Sequence, residues 1–201
     1  QLYALRGYAY FGEKKAEEAQ RELSSALELD PKSVKAQLGL ARLVLNERRL
    51  DEAHEMTKAA INYEPQSAEA WGALGNIERL LGNLEAAEVA YSKVIQFSPR
   101  FHHFRRMAHL ERGLVRVYRG NLAGAKEDVG VIKKKYPRDT YATYLTGLIY
   151  FQEKKFGDAQ DEFEQVVKYN PDFLQANLML GVVHYFQKHL HQAEQYVKAY
   201  V

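Results

Sequence analysis

Residues 137–171 read PRDTYATYLTGLIYFQEKKFGDAQDEFEQVVKYNP, a stretch bounded by Pro137 and Pro171 with no proline between them. It divides into a predicted helix over 140–153, a turn at Lys154-Lys155 and a second helix over 156–169. The other three prolines, Pro31, Pro65 and Pro99, continue the same spacing, with successive steps of 34, 34, 38 and 34 residues. Proline lacks an amide donor and its ring clashes with the preceding helical turn. Five breaks at nearly one period therefore mark the ends of a repeated helix pair.

With each proline set at position 32 of a 34-residue unit, position 20 is always alanine: Ala19, Ala53, Ala87, Ala125, Ala159 and Ala193. Position 8 is always small: Gly7, Ala41, Gly75, Gly113, Gly147 and Gly181. Two antiparallel helices reach the short end of the usual 8–10 Å separation only when the facing side chains are small. Position 17 is apolar throughout, and position 24 is large in Leu23, Tyr91, Phe163 and Val197. Period and positions together resemble the tetratricopeptide (TPR) repeat along the whole chain. The resemblance implies an all-α fold, a right-handed superhelical solenoid of antiparallel helix pairs.

The expected first helices run over 2–13, 35–47, 69–81, 106–119, 140–153 and 174–187. The second helices are expected over 16–29, 50–63, 84–97, 122–135, 156–169 and 190–201. The expected units are 1–33, 34–67, 68–101, 102–139, 140–173 and an incomplete 174–201, forming one array. Gly82-Asn83 and Gly120-Asn121 supply two turns. Basic pairs supply the others, a placement that the helix dipole favours. The chain opens at Gln1 and stops within a helical pattern, with Tyr196, Val197, Tyr200 and Val201 uncapped, so a fragment of a longer array is expected.

Of 201 residues, 46% are hydrophobic and 27% charged, the proportions of a folded chain rather than a disordered one. The absence of cysteine excludes disulfides, cysteine nucleophiles and thiolate metal sites. No P-loop, dinucleotide fingerprint or nucleophile elbow occurs. His102, His103 and His109, and likewise His184, His189 and His191, lack the convergence that a metal needs. No catalytic residue, cofactor or metal is expected, and the chain reads as non-enzymatic.

In TPR proteins the first helices line a concave groove. The matching positions here are Tyr8, Phe11, Leu38, Arg42, Leu45, Leu114, Val117, Tyr141, Tyr144, Leu148, Phe151, Val182 and Tyr185. The third unit interrupts this apolar stripe with Asn76 and Arg79. Such a groove suits an extended peptide or an amphipathic helix of a protein partner. The carboxylate clamp of chaperone-binding TPR proteins is not reproduced, since Ala4, Tyr8, Gly39, Glu69 and Ala73 stand at its positions.

The 38-residue step adds four residues near Arg100–Arg105. Residues 100–138 carry a charge of +8 in a chain whose total is +2, leaving −6 for the rest. Arg105, Arg106, Arg112, Arg116 and Arg119 form the candidate basic patch, with Arg112 and Arg116 at sites usually given to leucine and an aromatic. Long stems buried and heads in water is one expected arrangement. A second reading of the chain is thus a module for an anionic glycan or polymer. Nucleic acid is not expected, because aromatics are not interleaved with the patch as a single-strand platform would need and the overall charge is near neutral.

Several runs are similar to the PEP-CTERM-system TPR-repeat lipoprotein family: ALRGYAYFGEKKAEEAQ through RRLDEA (4–53), EAWGALGNIERLLGNLEAAEVAYSKVI (69–95), ATYLTGLIYFQEKK through LGVVHYF (142–186), and AEQYVKAY (193–200). That resemblance implies a role in bacterial exopolysaccharide export or protein sorting. It also implies an exported, periplasmic protein, lipid-anchored through a cysteine preceding Gln1, with no other membrane contact. A cytoplasmic adaptor, or the regulatory part of an enzyme, is the remaining alternative.

Overall fold

In the computed structural model, which describes residues 1–99 and 103–200 (the side chains of 199 and 200 excepted), the described residues form twelve α-helices and no strand. They are α1 (Leu2–Gly12), α2 (Ala16–Leu29), α3 (Val34–Asn46), α4 (Leu50–Tyr63), α5 (Ala68–Leu80), α6 (Leu84–Phe97), α7 (His103–Tyr118), α8 (Leu122–Lys135), α9 (Thr140–Gln152), α10 (Phe156–Tyr169), α11 (Leu174–Phe186) and α12 (Leu190–Tyr200). Eleven of the twelve start within one residue of the sequence expectation. The exception is α7, which begins at His103 rather than near 106. It is 16 residues long where the other first helices have 11 or 13. Part of the four-residue insertion is therefore an extra helical turn, while Arg100–His102 lie outside the described residues.

The chain divides into two compact units, Gln1–Ala108 and His109–Val201. In the first, α1–α2, α3–α4 and α5–α6 are packed pairs, and α1 touches α3 as α3 touches α5. In the second, α9–α10 and α11–α12 pair, with α8 against α9 and α10 against α11. Each pair buries its apolar side only against its neighbours, as expected of a repeat array. The second unit has one continuous core through Leu110, Leu145, Ile149, Phe163 and Leu180. The first holds several smaller clusters, around Leu23, Leu38 and Ile77.

The small-residue rule of the sequence has a direct geometric cause. A Cβ added to Gly147 would stand 2.6 Å from the Phe163 ring, and one at Gly75 would stand 2.7 Å from Tyr91. The alanines opposite are fully buried, apart from a slight exposure at Ala193.

All six turns within pairs share one closure. The amide of the second turn residue bonds back five residues: Lys15 to Tyr10 O, Arg49 to Val44 O, Asn83 to Glu78 O, Asn121 to Arg116 O, Lys155 to Tyr150 O and His189 to His184 O. This is the Schellman helix end, which needs a left-handed residue just past the helix. Glycine fills that site twice; Lys14, Arg48, Lys154 and Lys188 fill it with φ between 60° and 66°. The dipole explains a cation there, and the backbone adds a local cost of about 1 kcal/mol for each side chain so placed.

Candidate functional site

In the first unit, α1 and α3 lie side by side and share a face. Tyr8 and Phe11, one turn apart on α1, meet Arg42 of α3, whose guanidinium carbon stands 5.8 Å from each ring centroid. Tyr8 Oη donates to Lys35 O at 3.2 Å. Burial, reinforced by the charge of Glu69 on α5, pushes its phenol up to about 12, so it stays a protonated donor. Leu45 is half-buried beside them, whereas Leu38 belongs to the core. Asn76 is exposed and accepts from Tyr91 Oη at 2.8 Å, while Arg79 is half-buried.

In the second unit the expected stripe splits into two sets. Leu114, Val117, Tyr144 and Leu148 are buried members of the core. Tyr144 lies between Phe163 and Phe173, with centroids 5.7 and 5.0 Å away. Burial, then the neighbouring Tyr118, pushes its phenol up to about 12. Tyr141, Phe151 and Val182 keep part of their surface, and Tyr185 is 63% exposed. Five of the fifteen expected groove residues are thus core. Inner-face spacing does not separate them from the rest, because a side chain one turn away on the same helix can be covered by the next pair. Phe186, outside the expected set, stacks on Phe156 at 5.3 Å, meets Phe151 at 5.5 Å, and is itself half exposed.

The expected basic patch is divided between inward-turned and outward-facing arginines. Arg112 and Arg116 do not hold wet heads. Both turn onto Asp128 of α8, which is 1% exposed. Arg112 donates through Nε to Oδ2 at 3.1 Å and through Nη2 to Oδ1 at 2.6 Å. Arg116 Nη1 donates to Oδ2 at 2.9 Å and to Gly124 O at 3.0 Å, and His109 Nδ1 lies 2.7 Å from Oδ1. Burial pushes the Asp128 carboxyl up, but the bonds from His109 and Arg112 and the charges of Arg112 and Arg116 together outweigh it. The carboxyl ends below the usual range. An uncompensated buried carboxylate is very costly, and this arrangement compensates it fully.

Several other cations of this stretch are engaged nearby. Arg105 donates to Ile95 O and, at 3.4 Å, to Ser98 O, fastening the start of α7 to the end of α6. Lys133 pairs with Glu162 at 3.2 Å, and Lys126 with Glu153. Arg106 is half-buried, with Nη1 3.6 Å from Met107 Sδ, and Arg119 is exposed. Asp128 is already counted in the +8, so of the excess charge two cations, Lys133 and Lys126, are met by acids from outside residues 100–138. Gly113 faces Asp128 Cβ where the other position-8 glycines face Leu23, Tyr91, Phe163 or Val197.

Among the described residues no group of three or more His, Cys, Asp or Glu side chains is placed to hold a metal. His54 Nε2 lies 2.9 Å from Glu78 Oε1, with Asn83 donating to Oε2 at 2.8 Å. His184 is buried against Tyr196, its ring 5.5 Å away and nearly parallel. His102 lies outside the described residues.

Tetratricopeptide-repeat family models match residues 10–77, 68–101 and 154–201, together more than half of the chain. Human tetratricopeptide repeat protein 6 is 23% identical over 173 residues, 85% of this chain and 32% of that protein. The chain thus spans about a third of the length of this curated relative. The fold is similar to that of PilW, a type IV pilus biogenesis factor, with a TM-score of 0.85 at 18% identity over 97% of this chain and 89% of that one. It is also similar to YrrB, a TPR protein with an unusual peptide-binding site, with a TM-score of 0.63 at 17% identity over 88% and 89%. Repeat period, helix pairing and these matches agree: the chain belongs to the tetratricopeptide-repeat proteins.

Proposed function

We propose that the chain is a non-enzymatic scaffold that takes a peptide or helix of a partner protein on the faces of its first helices. The observation that carries this reading is the set of rings left partly uncovered there: Tyr8 and Phe11 in the first unit, Tyr141, Phe151 and Tyr185 in the second. Aromatic side chains contribute large contact area at little entropic cost, and exposed ones grouped on one face mark interaction surfaces. The peptide-binding site described for YrrB is one example of this use of the fold. The setting proposed is a bacterial envelope system for exopolysaccharide export or protein sorting, with the parent protein exported and lipid-anchored. That setting rests on the resemblance of runs 4–53, 69–95 and 142–186 alone.

The test is selection of peptide ligands from a random library, followed by titration against variants. Binding that weakens at least about tenfold in Phe151→Ala/Tyr185→Ala or in Tyr8→Ala/Phe11→Ala, with little salt dependence, supports the reading. Binding lost instead in Arg106→Glu/Arg119→Glu, and falling steeply with salt, would transfer function to the cationic surface. Failure to recover any peptide would remove the reading.

A further inference from the structure

Arg42 has an arrangement that packing alone does not require. It is exposed on α3, and among the described residues its guanidinium makes no hydrogen bond and has no carboxylate within ion-pairing distance. The other arginines with identified contacts behave differently: Arg6 pairs with Glu22, Arg49 with Glu47 and Glu52, and Arg112 and Arg116 with Asp128. Arg42 is held by two rings, Tyr8 and Phe11, each 5.8 Å from its central carbon. Contact with ring faces limits the rotamers of a long side chain while leaving its in-plane N–H donors unused. A planar guanidinium fixed in this way suits a carboxylate, which it can grip with two parallel bonds.

From this we infer that the α1–α3 face of the first unit is a docking site for an acidic peptide segment, with Arg42 gripping an Asp or Glu carboxylate and Phe11 and Leu45 covering an adjacent apolar side chain. The inference rests on the scaffold reading above and specifies its partner chemistry. Of Tyr8, Phe11, Arg42 and Leu45, Tyr8 alone stands at a position of the chaperone carboxylate clamp. Tyr8 Oη is occupied by Lys35 O, so the phenol positions the arginine rather than binding the ligand. Glu69 is the acidic group near enough to act on Tyr8, and its charge opposes a dianionic ligand group more than a singly charged one.

The test uses fluorescein-labelled peptides of alternating glutamate and leucine, with glutamine–leucine and lysine–leucine versions as controls, measured by anisotropy at low and physiological salt. The glutamate peptide is expected to bind about tenfold more tightly than the glutamine peptide. Arg42→Gln should abolish that preference, Arg42→Lys should restore only part of it, and Glu69→Gln should strengthen it. Tyr8→Leu/Phe11→Leu, which keeps the charge but frees the arginine, should also reduce it. Arg42 is exposed, so its variants keep the fold, which circular dichroism verifies. Equal binding of the glutamate and glutamine peptides, or a preference that survives Arg42→Gln, overturns the inference. If library peptides bind while the glutamate peptide does not, the acidic site fails and the scaffold reading stands. If neither binds, both fail.

Discussion

Arg112 holds Asp128 by both carboxylate oxygens, through Nε at 3.1 Å and Nη2 at 2.6 Å, across the α7–α8 interface where neighbouring pairs set an apolar side chain against glycine. Arg116 and His109 complete the shell. This polar core is the feature that most distinguishes the fourth helix pair, and it makes Arg112 and Arg116, two of the five expected patch arginines, an internal support.

Asp128→Asn should destabilise the second unit by about 3–5 kcal/mol, because two arginines then lose the charge they share in a buried site. The triple variant Arg112→Leu/Arg116→Tyr/Asp128→Leu, which restores an apolar interface, should recover most of that loss. Urea denaturation followed by circular dichroism measures both. A single variant as stable as the parent would show that the network is dispensable.

Acid should act through the same residue. The Asp128 carboxyl is held below its ordinary value of 3.8, so on acidification the unfolded chain takes up the proton first. Its contribution is therefore complete above about pH 3.8 and is lost as pH falls through the lower folded value. The stability difference between parent and Asp128→Asn should shrink over that window, read from melts between pH 5 and pH 2.

His184 gives a second pH dependence at milder values. Burial first, and His189 second, lower its pKa from 6.5, although Glu164 opposes them. The folded state thus resists protonation, and stability should decline as pH falls below about 6.5. Among the described residues the buried Nδ1 has no hydrogen-bond partner. His184→Phe keeps the stacking on Tyr196 and should flatten the slope between pH 7 and pH 5, with a gain of about 1 kcal/mol from removing the unsatisfied nitrogen. An unchanged slope in thermal melts would assign it to other groups.

Gly147→Ala should cost about 1–3 kcal/mol, since the new methyl would stand 2.6 Å from the Phe163 ring in a close-packed interface. Combining it with Phe163→Leu should return part of the loss. Additive effects in the double variant would mean that the two sites do not share this contact.

At the turns, Lys154→Gly should stabilise by a few tenths to about 1 kcal/mol, because glycine adopts the φ of 61° without strain. Lys154→Val should destabilise by more, being β-branched at a left-handed site. Calorimetric midpoints of the two variants should therefore move in opposite directions.

The sequence by itself determined the helix pairs, their ends and their small-residue contacts. Those signals are local: a proline stops a helix wherever it stands, and a glycine or alanine at a fixed step permits close approach whatever lies beyond. The inner-face positions were legible as a pattern through Tyr141, Tyr144, Leu148 and Phe151, but which of them remain uncovered was not. Tertiary structure decided that Tyr144 and Leu148 belong to the core while Tyr185 stays exposed. It also decided that Arg112 and Arg116 serve Asp128, twelve or more residues away, and that Arg42 is held between two rings of another helix. Burial and ion pairing depend on side chains brought together from separate helices, and a one-dimensional period carries no record of which of them meet.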